Sequence, residues 1–228
     1  GGAYLAVEHK SNSDLRAVDR SYTNMNLTGI GGRDSRSTNC ALANIKVGAN
    51  YYAMTGTPDG SPGSLAANVS GPHPALDSVT NAGSLNRCDT NSSADLLPKQ
   101  EQDSVFGSMH QKIMDGVNFS ATVLWSNRLA SQRQPVQTAT ATIDNTNPYF
   151  QSIAGETSQS ILFNFAPYLG RDYNVARNDI NMFQFTPKLT IDLPFRDWEL
   201  NLQGNYGRSV SDGVVRGYDS GALAVALR

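Results

Sequence analysis

The chain has 228 residues, of which 39% are hydrophobic and 17% charged, and no run approaches the roughly 20 apolar residues of a membrane helix. Transmembrane helices are excluded, but a membrane β-barrel is not, because strands with one apolar and one wet face average to a polar composition. A formal net charge of −2 and the lack of a basic stripe argue against nucleic acid as a partner.

The amino terminus, GGAYLAVEHKS, shows no basic segment followed by an apolar one, so no secretion signal is visible in it. Residues 2–10, GAYLAVEHK, predict a first strand with Leu5 and Val7 on one face. From about 11 to 97 the sequence turns to Asn, Ser, Gly, Asp and Pro, an irregular stretch of a length that is usually functional or disordered. Within it, NIKVGANYY predicts a small hairpin around Gly48-Ala49-Asn50. Cys40 and Cys88 lie in this turn-rich stretch, where an extracellular disulfide and two unrelated thiols compete as readings. A bridge closing a loop of that length stabilises by about 4 kcal/mol on a chain-entropy account.

Alternation returns in EQDSVFGSMHQKIMDGVNFSATVLWSNR, where Val117, Phe119, Ala121, Val123 and Trp125 alternate with Asn118, Ser120, Thr122, Leu124 and Ser126. A three-residue turn at Met114-Asp115-Gly116 pairs Ile113 with Val117 and sets Val105, Gly107 and Met109 beside that row. A two-residue turn would move Lys112 into it. Between 129 and 178, TATATI and QSILFNF predict extensions standing above the main strands. In 183–207, Phe183, Phe185, Pro187, Leu189, Ile191 and Leu193 form one apolar row, and Trp198, Leu200, Leu202, Gly204 and Tyr206 another. Pro187 lacks a ladder donor and predicts a bulge. From 209 onward the chain reads as loop, with SGALAVAL as a helical turn or two.

Five crossings result, at about 2–10, 103–113, 117–127, 182–193 and 198–208. Four details favour lipid over a soluble β-sandwich. The strands exceed the usual 5–6 residues and approach the roughly 9–11 of a membrane strand. Trp125, Trp198 and Tyr206 end their apolar rows, as girdle aromatics do. Very short connections alternate with very long ones. Lys188, Asp192, Glu199 and Asn205 occupy the opposite face, which a dry core would have to neutralise. The lipid-facing set is then Val117, Phe119, Val123, Trp125, Leu189, Ile191, Trp198, Leu200 and Leu202.

The stretches NCALANIKVGANYYAM, LNRCDTNSSADLLPKQEQDSVFGSMHQKI, NTNPYF and LPFRDWELNLQGNYGRS resemble part of a TonB-dependent outer-membrane receptor of the type found in sphingomonad- and caulobacter-like bacteria. The resemblance covers most of 38–209. It implies an all-β fold, an antiparallel transmembrane segment of a 22-stranded barrel with long extracellular loops at about 11–97 and 129–178. It also implies a Cys40–Cys88 bridge outside the cell and location in the outer membrane of a Gram-negative bacterium. No plug domain is found in the 228 residues, and five strands leave two bare edges, so the chain reads as a segment of a longer polypeptide. The partners so implied are outer-membrane lipid, the rest of the same receptor, and the TonB complex acting through the missing plug.

The function expected is energy-coupled uptake of a scarce solute such as a ferric siderophore or a saccharide, with Tyr51, Tyr52, Tyr149 and Phe150 as loop aromatics able to stack on it. No cofactor is expected. His9, His73 and His110 lack metal-ligand spacing, and no G-x-S-x-G, H-E-x-x-H or P-loop suggests an enzyme. Asp192 and Glu199 only flank a short connection. The alternative is a secreted or surface β-rich adhesin or glycan-binding module.

Overall fold

A computed structural model of the chain describes residues 1–57, 64–73, 85–170, 173–195 and 197–226. Parts of the expected first loop (58–63 and 74–84), Arg196 of the PFRD connection and the end of SGALAVAL lie outside the described residues. The strands are β1 (Gly2–Asn12), β2 (Leu15–Arg16), β3 (Asn44–Val47), β4 (Asn50–Met54), β5 (Val69–His73), β6 (Asp95–Leu97), β7 (Lys99–Met114), β8 (Val117–Arg133), β9 (Thr138–Asp144), β10 (Ser158–Asn164), β11 (Val175–Asp192), β12 (Glu199–Gln203) and β13 (Tyr206–Val214). The fold is all-β with antiparallel sheets, and the chain divides into two compact units.

The first unit comprises Gly1–Leu15, Leu97–Gln132 and Ala176–Val215. It is a single open sheet in the order β1-β7-β8-β11-β12, with β13 also paired to β11. Strands of 16, 17 and 18 residues (β7, β8, β11) are about three times the usual length. Successive side chains alternate between faces, so directly paired residues share one. Val7, Val105 and Trp125 form one row across three strands, and Leu5, Gly107 and Val123 the next. Leu189 pairs with Leu202 and Ile191 with Leu200. Among the described residues of this unit, Ala121, at 7% exposure, is the one buried side chain. The sheet has no core.

Three local features differ from expectation. Met114 pairs with Val117 around Asp115-Gly116, a shorter turn than the three-residue one, and the register then shifts between Lys112 and Met114. Gly116 takes φ +75°, a left-handed conformation that costs glycine no Cβ clash. The shift cancels the shorter turn, so Lys112 stays opposite Asn118 and out of the apolar row. Second, β11 passes through Pro187 without a bulge, since Lys188↔Gln203 and Phe185↔Tyr206 keep one register. The missing N–H instead divides the partner into β12 and β13, while the Gly204 N–H still donates to the Pro187 carbonyl at 3.0 Å. Third, the segment after 209 is strand to Val214 rather than loop, paired to the start of β11. The Asp192 N–H donates to the Gly116 carbonyl at 2.8 Å, which holds both short turns at one end of the sheet.

The second unit comprises Arg16–Leu96, Arg133–Val175 and Arg216–Arg228. Its sheet, β5-β4-β3-β10-β9, draws strands from both long connections. The described part of the first connection thus contributes strands, among them the β3–β4 hairpin at NIKVGANYY, and in the second connection TATATI pairs with QSILFNF, which pairs in turn with β3. In β9 the threonines are exposed while Ala139, Ala141 and Ile143 are buried. Ile45, Val47, Tyr52, Leu65 and Ile153 form its main packed cluster, with Met54 and Val69 against it, and Leu85, Val136 and Leu162 are buried as well.

Covalent and amide cross-links supplement this packing. Cys40 and Cys88 are joined in a disulfide with a Cα separation of 5.6 Å. Beside it, Ser37 and Cys88 exchange two backbone hydrogen bonds of 3.0 Å. Asn44, wholly buried, donates to the carbonyls of Thr38 (2.6 Å) and Asn86 (2.8 Å) and accepts the Asn86 N–H at 2.9 Å. The Asn86 amide donates in turn to the carbonyls of Ala43 and Met54. Asn44→Ala strands these buried partners, so amide exchange in β3 and β10 accelerates by about 10- to 100-fold, a loss of about 1–3 kcal/mol. Exchange rates unchanged in both strands would contradict the cross-link.

Candidate functional site

Two surfaces carry the residues singled out from the sequence. On the first sheet, Val117, Phe119, Val123, Trp125, Leu189 and Ile191 are half-buried, and Trp198, Leu200 and Leu202 are exposed, Leu202 at 52%. A shallow apolar groove of about 400 Å³ runs across this face between Leu5, Met109, Val123 and Phe185, with Gly107 in its floor. A Cβ at Gly107 would come within 2.8 Å of Val123 Cγ1, so glycine makes room for the neighbouring valine.

The apolar rows end in a polar one. His9 Nδ1 lies 2.7 Å from Asp103 Oδ1, and the Asn127 amide donates to Asp179 at 2.9 Å, one strand step beyond Val7, Val105 and Trp125. Arg208, opposite Phe183 on the edge strand, is a charge set within the apolar side. The other face is rich in hydroxyls and amides, with Tyr4, Phe106 and Leu124 as an apolar patch among them. Gln102, Ser104 and Ser126 are linked there, Asn205 accepts from Gln184 and Thr186, and Asn201 joins Thr190 to Glu199. Asp192 pairs directly with Glu199, both exposed.

On the second sheet the four candidate aromatics do not converge. Tyr52 is 6% exposed in the core beside Ile45, which removes it from any solute contact. Period-2 alternation sends its neighbour Tyr51 to the opposite face. Tyr149 is 85% exposed on a turn whose N–H groups at Tyr149 and Phe150 are held by Asn147, and Phe150 is half-buried.

What the pairing does assemble is a row around Tyr51. Thr142 faces Ser160, Ser160 faces Lys46, Lys46 faces Tyr51 and Tyr51 faces His73, one residue from each of the five strands. The Lys46 ammonium lies 5.8 Å from the centre of the Tyr51 ring, within cation–π range. The hydroxyls of Thr142 and Ser160 share a hydrogen bond of 2.9 Å. Lys46, Ser160 and Thr142 were not singled out from the sequence, because only the β3–β10 pairing brings residue 46 beside residue 160.

At the end of β9, Asp144 is held below its usual carboxylate range by the Thr146 hydroxyl and then the Thr146 N–H. Burial raises the Tyr173 phenol, which donates to Gln137 at 2.9 Å. Among the described residues, no group of three or more His, Cys, Asp and Glu is placed to hold a metal ion. No protein-family model, curated protein or solved structure matches the chain.

One ion pair makes the stability of this unit depend on pH. The Arg36 guanidinium donates to both Asp34 oxygens, at 3.1 and 3.0 Å, and this bonding holds the Asp34 carboxyl below its usual range. A depressed folded-state value stabilises the fold above the unfolded pKa of about 3.9, and that contribution disappears as pH falls through the lower folded value. Asp34→Asn is therefore expected to lower the denaturation midpoint of the second unit at pH 7 and to shrink its change between pH 5 and 2. Equal acid sensitivity in the two proteins would contradict the pairing.

Proposed function

We propose that the first unit is a stretch of wall from an outer-membrane β-barrel, and that the chain belongs to an energy-coupled receptor taking up a scarce solute such as a siderophore or a saccharide. The observation that carries this reading is a sheet of very long strands, with one buried side chain among its described residues, predominantly apolar on one side and rich in hydrogen-bonded polar groups on the other. In water, that side would be a contiguous apolar surface of the kind that marks an interaction with another surface. Lipid on the apolar side and a wet lumen on the polar side suit both faces. From Phe183 to Leu193 the apolar row spans roughly 33 Å along an extended chain, which a barrel tilt near 40° reduces to about 25 Å, the height of an outer-membrane apolar band.

The open edges at β1 and at β12 and β13 would pair with further strands of the same receptor, since unpaired backbone is not tolerated in hydrocarbon. Energy would reach the receptor from TonB through a plug domain. The second unit would supply solute contacts.

A second reading, a surface adhesin or glycan-binding module, draws on the second unit's own core and disulfide. It requires a fold that persists in water without detergent. The receptor reading predicts that lipids brominated on their acyl chains quench Trp125 and Trp198, the two tryptophans, in the membrane-inserted chain. Val123→Arg and Leu202→Arg should each destabilise the inserted state by roughly 2–4 kcal/mol near mid-bilayer. Unquenched tryptophans, or arginines tolerated at no cost in both positions, would sink the membrane assignment.

A further inference from the structure

We infer that the row Thr142–Ser160–Lys46–Tyr51 on the second sheet binds an acidic saccharide, a chain of sugar rings bearing carboxylates. This deepens the receptor reading by naming a solute class and rests on it for the idea that the second unit captures a solute. Three properties of the row point the same way.

Lys46 is exposed, and among the described residues no carboxylate forms an ion pair with it. Its ammonium leans over the Tyr51 ring, which steadies a cation without neutralising it. An incoming carboxylate therefore meets a positioned ammonium and gains a charge-assisted hydrogen bond. Next along the sheet, Ser160 and Thr142 are bonded to each other, so each oxygen keeps lone-pair capacity and the pair keeps one free proton. Hydroxyl pairs of this kind match the vicinal hydroxyls of a sugar ring as donor and acceptor together. Beyond Lys46 the half-buried Tyr51 ring would take the C–H face of a pyranose on the surface that the ammonium leaves uncovered.

Geometry sets the shape of the ligand. Neighbouring strands lie about 4.8 Å apart, so the hydroxyl pair, the cation and the aromatic ring stand in line at regular intervals across the sheet face. A compact chelate would engage one of these groups, whereas an extended oligomer engages hydroxyls, charge and ring in sequence. Thr140 and Thr138 continue the exposed hydroxyls along β9, at right angles to the row.

The test is calorimetric titration of the detergent-solubilised full chain with trigalacturonic acid, and with maltotriose as the uncharged control. Trigalacturonate should bind and maltotriose should not. Lys46→Gln and Tyr51→Leu should each weaken binding by about tenfold or more, while Lys46→Arg stays close to wild type. Leucine keeps the bulk of the half-buried tyrosine, and the amide-exchange pattern of β3 and β4 reports whether either variant has unfolded the sheet. No trigalacturonate binding, or binding unaltered by both Lys46→Gln and Tyr51→Leu in a folded sheet, overturns the inference. Quenching by brominated lipid, measured on the same proteins, separates the two readings. Intact quenching without uronate binding overturns the saccharide row alone, whereas uronate binding without quenching supports the row and removes the membrane wall.

Discussion

A sheet one layer thick has nothing of its own to rest on, and that constraint governs the first unit. Its strands are held by backbone ladders running 11 residues between β1 and β7 and 9 between β11 and β13. Side chains add only cross-strand pairs, worth fractions of a kcal/mol to about one each. With a single buried side chain among its described residues, this unit lacks the apolar burial that ordinarily offsets chain entropy. The surroundings must provide it. Register consequently matters more here than in a sandwich, because a slip by one residue would put Lys112, His110 and Ser108 among the apolar rows. The one-residue shift beside Gly116 shows how closely the alternation is kept, since it cancels the shorter turn before the long ladder begins.

The second unit meets the opposite problem, with long polar connections that have little to bury. Five of its buried apolar side chains gather in one cluster, most of the other buried apolar positions are alanines, and part of the work passes to asparagines. Asn44 and Asn86 replace sections of backbone ladder, each amide closing bonds to carbonyls that the short strands leave open. Asn164 donates to the Asn39 carbonyl and Asn39 to that of Ala139, carrying the same solution to the disulfide. Abundant asparagine here is structural mortar. Such bonds are worthwhile only when buried amides are satisfied, and among the described residues Gln159, with neither amide atom bonded, and Asn174, whose Oδ1 accepts no bond, are exceptions.

Pro187 separates local chemistry from its consequence. Its missing N–H is a property of one residue, and a bulge was the expected effect on its own strand. The strand instead keeps its register, and the interruption appears in the partner, which breaks at Gly204 and Asn205. A Cβ at Gly204 would stand 3.6 Å from the Pro187 ring, an ordinary van der Waals contact, so the break in the partner follows from the missing donor and not from crowding. Similarly, Tyr51 and Tyr52 look alike as neighbouring loop aromatics, yet one step along a strand sends one to the core and the other to the surface.

The sequence by itself determined the all-β character, the alternation of the long strands and the two unlike faces of the first sheet, because a period of two is a local property readable within a single strand. It also placed the two cysteines in one turn-rich stretch, and the resemblance implied their bridge. Only the tertiary structure decided that the two long connections share a sheet, that Tyr52 is core, and that Lys46, Ser160 and Thr142 stand in line with Tyr51. The shared sheet and the complete row depend on the β3–β10 pairing, between residues more than 100 positions apart. Many pairings of short polar strands satisfy the same local pattern, and the choice among them falls to the combined effect of side-chain packing, buried amides and the disulfide.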